Sequence, residues 1–297
     1  MTIEFELREY LGTRRQLVEE ALKAALPPAE TLEARVIESM RYSLFAGGKR
    51  LRPILCLAAA EAIGGEPQQA MPAACALEMI HTYSLIHDDL PAMDDDDFRR
   101  GVPTNHKVFG EAVAILAGDA LLTEAFQLLS EYRNLPPVRV VEIIRVIALA
   151  AGYRGMVGGQ VVDMLSQNKP AELETVRYMH SRKTAALISA AVEAGALAGG
   201  GTEEQVAALA RYGRAIGLAF QITDDILDIE GEAAMLGKNT GVDVARGKAT
   251  YPAAVGLARS QTAVRELVEE ALAELDGFGD KAEPLRALAT YVMSRKK

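Results

Sequence analysis

The sequence has no tryptophan and only two cysteines among its 297 residues. Cys56 and Cys75 are too few for a disulfide framework and lack the close spacing of a zinc site, so both are expected as plain buried thiols. A net basic charge is missing too, the formal charge being −9. Affinity for nucleic acid comes largely from Lys and Arg neutralising phosphates, so no nucleic acid is expected as a partner. The amino terminus lacks a continuous apolar stretch, because Met1 to Arg8 alternates charged with apolar residues, which argues against a signal peptide. No apolar run comes near the ~20 residues that a helix needs to cross a bilayer, so no stable membrane anchor is expected. A cytoplasmic location is the default expectation. Alternation of period two, fixed repeats and low-complexity tracts are all absent.

What is present is helical periodicity. Leu7, Tyr10, Leu11, Arg14, Leu17, Val18, Ala21 and Leu22 recur at three- and four-residue steps. Similar patterns predict helices near 30–46, 52–63, 70–90, 111–132, 138–157, 172–199, 203–229, 251–275 and 281–295. Glycine and proline pairs such as Pro27-Pro28, Gly64-Gly65 and Pro136-Pro137 punctuate them. The expectation is an all-α chain, residues 1–297 forming a single large helical bundle. The longest irregular stretch, Gly231 to Ala249, has the length of a functional lid or a disordered segment.

The densest chemical signal is the run from His87 to Arg100, which holds Asp88, Asp89, Asp94, Asp95, Asp96 and Asp97. Pro91 cannot continue a helix comfortably and restricts Leu90, so the preceding helix should end near Asp89. Carboxylates at a helix carboxyl end oppose its dipole at a cost of roughly 0.3–1 kcal/mol each. A second cluster, Gln221-Ile222-Thr223-Asp224-Asp225-Ile226-Leu227-Asp228, stands near the end of another helix before Gly231. Asp224 and Asp228 are one turn apart on one face and repel each other. A hard divalent cation relieves both penalties, and Mg²⁺ prefers carboxylate, water and phosphate oxygens. An acidic run can also serve only to keep a surface soluble; two such runs, both at helix carboxyl ends, favour a metal.

These residues resemble the trans-isoprenyl diphosphate synthases, and within them the bacterial farnesyl diphosphate synthases. Asp88-Asp89 through Asp94 is similar to that family's first aspartate-rich motif and Asp224-Asp225-Ile226-Leu227-Asp228 to its second. The likeness extends from Gly47-Gly48-Lys49-Arg50-Leu51-Arg52-Pro53 to Lys248-Ala249-Thr250-Tyr251-Pro252. The resemblance implies the isoprenoid synthase fold, helices around a deep central cavity, a homodimer, and Mg²⁺ joining both motifs to an allylic diphosphate. It implies Asp88, Asp89, Asp94 and Asp224 as metal ligands, with Asp225 and Asp228 completing the catalytic acids. It assigns Lys49, Arg52, His81 and Arg100 to isopentenyl diphosphate. Arg99, Lys183, Thr184, Gln221, Lys238 and Lys248 are assigned to the allylic substrate.

The residues suit that chemistry. Breaking an allylic carbon–oxygen bond leaves negative charge on diphosphate and positive charge on carbon. Cationic side chains and metal stabilise the first. Gln221 lies on nearly the same helix face as Asp224 and can turn an amide oxygen towards the cation, with Thr184 adding a hydroxyl dipole. Product length is expected to depend on Tyr83 and Ser84, the fifth and fourth residues before Asp88. An aromatic at the fifth position resembles enzymes that stop at farnesyl diphosphate, so the fifteen-carbon product is expected, with twenty-carbon geranylgeranyl diphosphate as the alternative. A class I terpene cyclase or a non-catalytic synthase-like subunit are the rival readings. The first is disfavoured by an Asp-Asp-x-x-Asp second motif and the second by the intact acid clusters. Gly158-Gly159-Gln160 with Asp163 is read as a packing feature without chemistry.

Overall fold

Helix boundaries fall where the punctuation sets them. In the computed structural model, which describes residues 5–28, 30–230 and 248–294, α1 spans Leu7–Ala25, α2 Ala34–Leu44, α3 Leu51–Ile63 and α4 Pro67–Asp88. Gly64 ends α3 in the left-handed conformation that glycine tolerates. Pro67 then opens α4, whose first turn is closed by the Glu66 N–H donating to Gln69 Oε1 at 2.9 Å. After α4 come α5 (Asn105–Phe109), α6 (Glu111–Ser130), α7 (Pro137–Ala151), α8 (Met156–Ser166) and α9 (Leu173–His180). A π-helical turn, Ser181–Ala185, leads directly into α10 (Ala186–Ala198), followed by α11 (Glu203–Glu230). The carboxyl-terminal part contains α12 (Tyr251–Val255), α13 (Leu257–Ala273) and α14 (Glu283–Ser294).

Composition sorts these helices into inner and outer. α3 and α10 are apolar almost all round, and nearly every residue of α10 from Leu187 to Ala198 is buried, as expected of core helices. α1 buries only Val18 and Leu22 and lies outside them. α4 packs on α6, α10 on α3 and α11, and α11 on α13. The result is the expected all-α bundle.

Several features depart from the sequence expectation, among them the helix expected over 251–275, which Gly256 divides into α12 and α13. Residues Phe98–Arg99 and Val102–Pro103 form a two-stranded antiparallel hairpin. Its two loop residues, Arg100 (φ 54°) and Gly101 (φ 81°), both have positive φ, as a twisted two-residue hairpin turn requires; strands of two residues are too short to show alternation. The helix expected over 138–157 is broken between Gly152 and Gly155 and resumes as α8, reaching Ser166. α6 is, by length and average hydropathy (1.5), sufficient to cross a membrane, which corrects the expectation that no such segment exists. Glu111, Asp119 and Glu124 interrupt it, and Ala114, Ala117, Leu121, Ala125 and Leu129 bury one face in the bundle.

Candidate active site

A cavity of about 560 Å³ lies between α4, α6, α8 and the π-helical turn. Asp88, Lys183 and Thr184 line it together with Tyr83, Ser84, His87, Met156, Gln160 and Met164. Carboxylate and ammonium thus share a space whose remaining walls are mostly apolar. A second recess of about 540 Å³ is built from Gly47, Gly48, Lys49, Arg52 and Arg100, and it shares Arg52 and His81 with the first. The two spaces meet at those two side chains.

α4 runs to Asp88 and is capped by Asp89, as Pro91 dictates. The chain then folds back, with the Asp94 N–H donating to the Asp88 carbonyl at 2.8 Å. Asp88 and Asp89 part company here. Asp89 is buried and gripped by Arg99, whose Nε and Nη2 donate to Oδ1 at 2.8 and 2.6 Å. Asp88 instead faces the cavity, where burial pushes its carboxyl up to about 6; Lys183 draws it down and Asp94 raises it. Lys248 Nζ lies 3.4 Å from Asp94 Oδ2 and so brings the far end of the chain to the first acid cluster.

The second cluster divides in the same way. α11 continues through it to Glu230. Asp224 and Asp228 are half-buried, whereas Asp225 is 3 % exposed. Asp225 Oδ1 accepts from Gln221 Nε2 at 3.0 Å and Oδ2 accepts the Tyr251 N–H at 2.8 Å, with His180 Nε2 3.4 Å away. Burial raises this carboxyl to about 6, against the lowering effect of those two hydrogen bonds. Asp225 therefore orients Gln221 and anchors the start of α12.

The π-helical turn joins the two sides. Its looser winding interrupts the helix register, as such turns do at functional sites. Lys183 Nζ donates to Asp163 Oδ2 at 2.6 Å, and Thr184 Oγ1 donates to Gln221 Oε1 at 2.7 Å. Burial alone would lower the Lys183 pKa, but Asp163 and Asp88 outweigh it and keep the ammonium charged. Close approach of α8 to this turn depends on Gly159, where a Cβ would stand 2.3 Å from the Lys183 nitrogen. The Gly158-Gly159-Gln160 segment is thus a packing feature, as expected. Gln160 and Asp163 also belong to the site, which sequence reasoning missed: Gln160 lines the cavity and Asp163 holds Lys183.

In the basic recess Gly47, Gly48 and Arg50 all have positive φ. Gly48 is needed there, since a Cβ would lie 2.6 Å from Arg100 Nη1. Arg100 donates to the Gly47 carbonyl oxygen. Arg50 turns inward, donating to Glu19 at 2.8 Å, Glu78 at 2.7 Å and the Leu44 carbonyl at 2.6 Å. Lys49 and Arg52, on either side of Arg50 in sequence, line the recess. Burial and Arg100 pull the Arg52 guanidinium down to about 10 despite Glu78, and its Nε is buried with no hydrogen-bond partner among the described residues. His81 is held well below its ordinary value by burial and by Arg52, Arg100, Arg99 and Arg50, so it is neutral near pH 7. Lys238 lies outside the described residues.

Among the described residues no three acidic, histidine or cysteine side chains form a ready metal cage. Mg²⁺ does not require one, because it keeps waters and binds through one or two carboxylates plus substrate phosphates. Asp88 at the end of α4 and Asp94 beyond it, and Asp224 and Asp228 one turn apart on α11, are carboxylates of the kind that donor set uses.

Comparison with known proteins agrees with this geometry. A family model described as Polyprenyl synthetase matches residues 33–288. The heterodimeric geranylgeranyl pyrophosphate synthase large subunit 1, chloroplastic, of Arabidopsis thaliana is 50% identical, the alignment covering 98% of this chain and 80% of that one. A dimethylallyltranstransferase of Fischerella ambigua is 49% identical over 98% of this chain and 84% of its own. Among solved structures, geranylgeranyl pyrophosphate synthetase from Pyrococcus horikoshii superposes with a TM-score of 0.89 at 30% identity, covering 98% of both chains. An FPP/GFPP synthase from Zymomonas mobilis gives 0.86 at 38% identity, covering 97% of this chain and 98% of that one. Two expectations are corrected. The narrower likeness to bacterial farnesyl diphosphate synthases gives way to relatives named as geranylgeranyl synthases in plants. The cytoplasmic default is overturned as well, since those plant relatives are named chloroplastic and the default rested only on a missing apolar leader. The chain belongs to the polyprenyl synthetase family, and its activity is that of a trans-prenyltransferase.

Proposed function

We propose that this chain is a geranylgeranyl diphosphate synthase, condensing isopentenyl diphosphate onto allylic diphosphates up to twenty carbons. One observation carries the reading: an apolar cavity with Asp88 and Lys183 at its wall shares Arg52 and His81 with a separate basic recess. This is one space for a growing chain and two places for diphosphates. The whole chain is read as one polyprenyl synthase domain.

The allylic diphosphate is held by Lys183 and Lys248, beside Asp88, Asp94, Asp224 and Asp228. Mg²⁺ bound by those acids would neutralise the diphosphate and stabilise charge on the departing oxygen. Arg99 serves by locking Asp89, which leaves Asp88 to the cavity. Lys49, Arg52, Arg100 and neutral His81 hold isopentenyl diphosphate in the recess. The allylic carbon–oxygen bond breaks with its electron pair on diphosphate. The isopentenyl double bond then supplies the pair for the new carbon–carbon bond, and a proton passes to diphosphate. Gln221 Oε1 and Thr184 Oγ1, fixed by their mutual hydrogen bond, present oxygen dipoles to the cation without attacking it.

Relatives named as geranylgeranyl synthases support the twenty-carbon product. A farnesyl product is the second reading, favoured by the buried Tyr83 on the cavity wall. Incubation with labelled isopentenyl diphosphate and dimethylallyl diphosphate decides: a dominant fifteen-carbon product overturns the first reading. A homodimer is also proposed, because Ile115 and Leu116 of α6, Val138 and Val141 of α7, and Val161 and Leu165 of α8 leave apolar surface exposed.

A further inference from the structure

On the other side of the π-helical turn lies a cavity of about 570 Å³ that the proposed reaction does not use. Five arginines line it: Arg145 of α7, Arg154 at the α7–α8 break, Arg177 of α9, Arg182 of the turn itself and Arg214 of α11. Among the described residues none of the five forms an ion pair with a carboxylate, in a chain of 41 acidic residues. The single acid on the wall is Glu193 of α10. Burial pushes its carboxyl up, and Arg145 and Arg214 draw it down. One carboxylate cannot balance five guanidinium groups, and a concave wall with this excess of one sign concentrates their field on whatever enters.

The arginines are also partly pre-set. Arg182 stacks over the Tyr178 ring at 4.2 Å and donates to the Arg154 carbonyl oxygen, while Arg154 lies over Tyr153 at 5.3 Å. A guanidinium fixed in plane loses less freedom when it takes a phosphate through two parallel N–H bonds. Val146, Ala150 and Ala190 give the cavity an apolar side.

We infer that this arginine-lined cavity is a second binding site for a diphosphate group, carried either by inorganic diphosphate or by a short prenyl diphosphate. The number of guanidinium groups exceeds what a carboxylate would require, and an open concavity lets a small anion reach them from solvent. Its position gives it a consequence. Ser181 and Arg182 face this cavity, and the next two residues, Lys183 and Thr184, face the catalytic one. An anion seated here is separated from the reacting centre by one turn of backbone, so product diphosphate held here would slow turnover. The ligand class rests on the proposed reaction; the site itself rests only on the arginines.

The test is calorimetric titration of Arg52→Gln protein with inorganic diphosphate in the presence of EDTA. Metal removal weakens the aspartate site and the substitution weakens the basic recess, leaving the arginine cavity. Saturable binding is expected, and adding Arg177→Gln and Arg214→Gln should weaken it by about tenfold or more. Geranyl diphosphate in a parallel titration separates the two sources, tighter binding marking the prenyl ester and equal binding the free anion. Both exchanged arginines are exposed, so the thermal midpoint should be unchanged; if that pair does not fold, Arg145→Gln replaces it. In the otherwise unsubstituted protein with Mg²⁺, Arg177→Gln with Arg214→Gln should retain turnover and lose the part of the inhibition by added diphosphate that saturating allylic substrate does not relieve. Absence of saturable binding, or affinity that ignores these arginines, overturns the inference, whereas lost prenyl transfer with binding intact would overturn only the proposed function.

Discussion

The Thr184 hydroxyl donates a 2.7 Å hydrogen bond to Gln221 Oε1, tying the π-helical turn to α11 one turn before the second acid cluster. Gln221 is held from behind as well, since its amide nitrogen donates to buried Asp225. The amide is therefore fixed in both position and orientation. Replacing Gln221 with Leu leaves the Thr184 hydroxyl and Asp225 each short of a partner. Such a loss costs about 1–3 kcal/mol, so kcat should fall roughly ten- to hundredfold with little change in KM for isopentenyl diphosphate. Steady-state kinetics with each substrate varied separately checks this, and equal changes in both constants would contradict it.

Asp88 and Asp224 are expected to be indispensable for turnover and dispensable for folding. Losing a metal ligand at the leaving group should lower kcat by roughly a hundredfold or more. The Asp88 carboxyl is pushed up to about 6 by burial, so keeping it ionised at neutral pH opposes folding. Sign matters here: the folded state holds this proton more tightly than the unfolded one, so the stability it lends is present at low pH and fades as pH rises through about 6. Asp88→Asn in EDTA should melt no lower than the wild type at neutral pH, a scanning-calorimetry measurement.

His81 titrates in the opposite sense. Its folded pKa lies well below the ordinary 6.5, so on acidification the unfolded chain takes the proton first. Stability contributed by neutral His81 is complete above about pH 7 and declines as pH falls through the unfolded value. The His81 ring signals in an NMR titration should stay at their neutral positions between about pH 6 and 8. Movement through a midpoint in that window would show that the surrounding arginines do not act as described.

Tyr83 and Ser84 both line the cavity beneath Asp88. Removing the ring in Tyr83→Ala lengthens the space available to the chain, and Ser84→Phe shortens it. The first variant should shift products beyond twenty carbons, and the second towards fifteen. Chromatography of dephosphorylated labelled products measures the shift; an unchanged distribution in both would place the length stop elsewhere.

Gly159 permits α8 to touch the backbone of the catalytic turn, with a Cβ placed 2.3 Å from the Lys183 nitrogen. Gly159→Ala must separate them, at a cost of about 1–3 kcal/mol for an overpacked contact. A lower thermal midpoint together with weaker binding of the allylic diphosphate is expected, because Lys183 moves with its backbone. Gly12, whose Cβ would meet nothing within 4 Å, provides the control substitution.

The amino-acid sequence alone determined the helical class, the ends of α3 and α4, and the presence of two acid clusters, since periodicity, glycine caps and Pro91 act locally. It also carried the basic residues that gather in the recess. Tertiary structure decided which acids are available. Asp88 and Asp89 are chemically identical neighbours, yet Arg99 on a hairpin too short to be read from alternation claims only one of them. Asp225 is likewise withdrawn from its cluster by Gln221 and by the backbone of Tyr251, 26 residues away. Asp163 gained a role only because Gly159 lets α8 reach Lys183. Side-chain direction depends on what packs alongside, and contacts between residues distant in the chain leave no periodic mark in sequence.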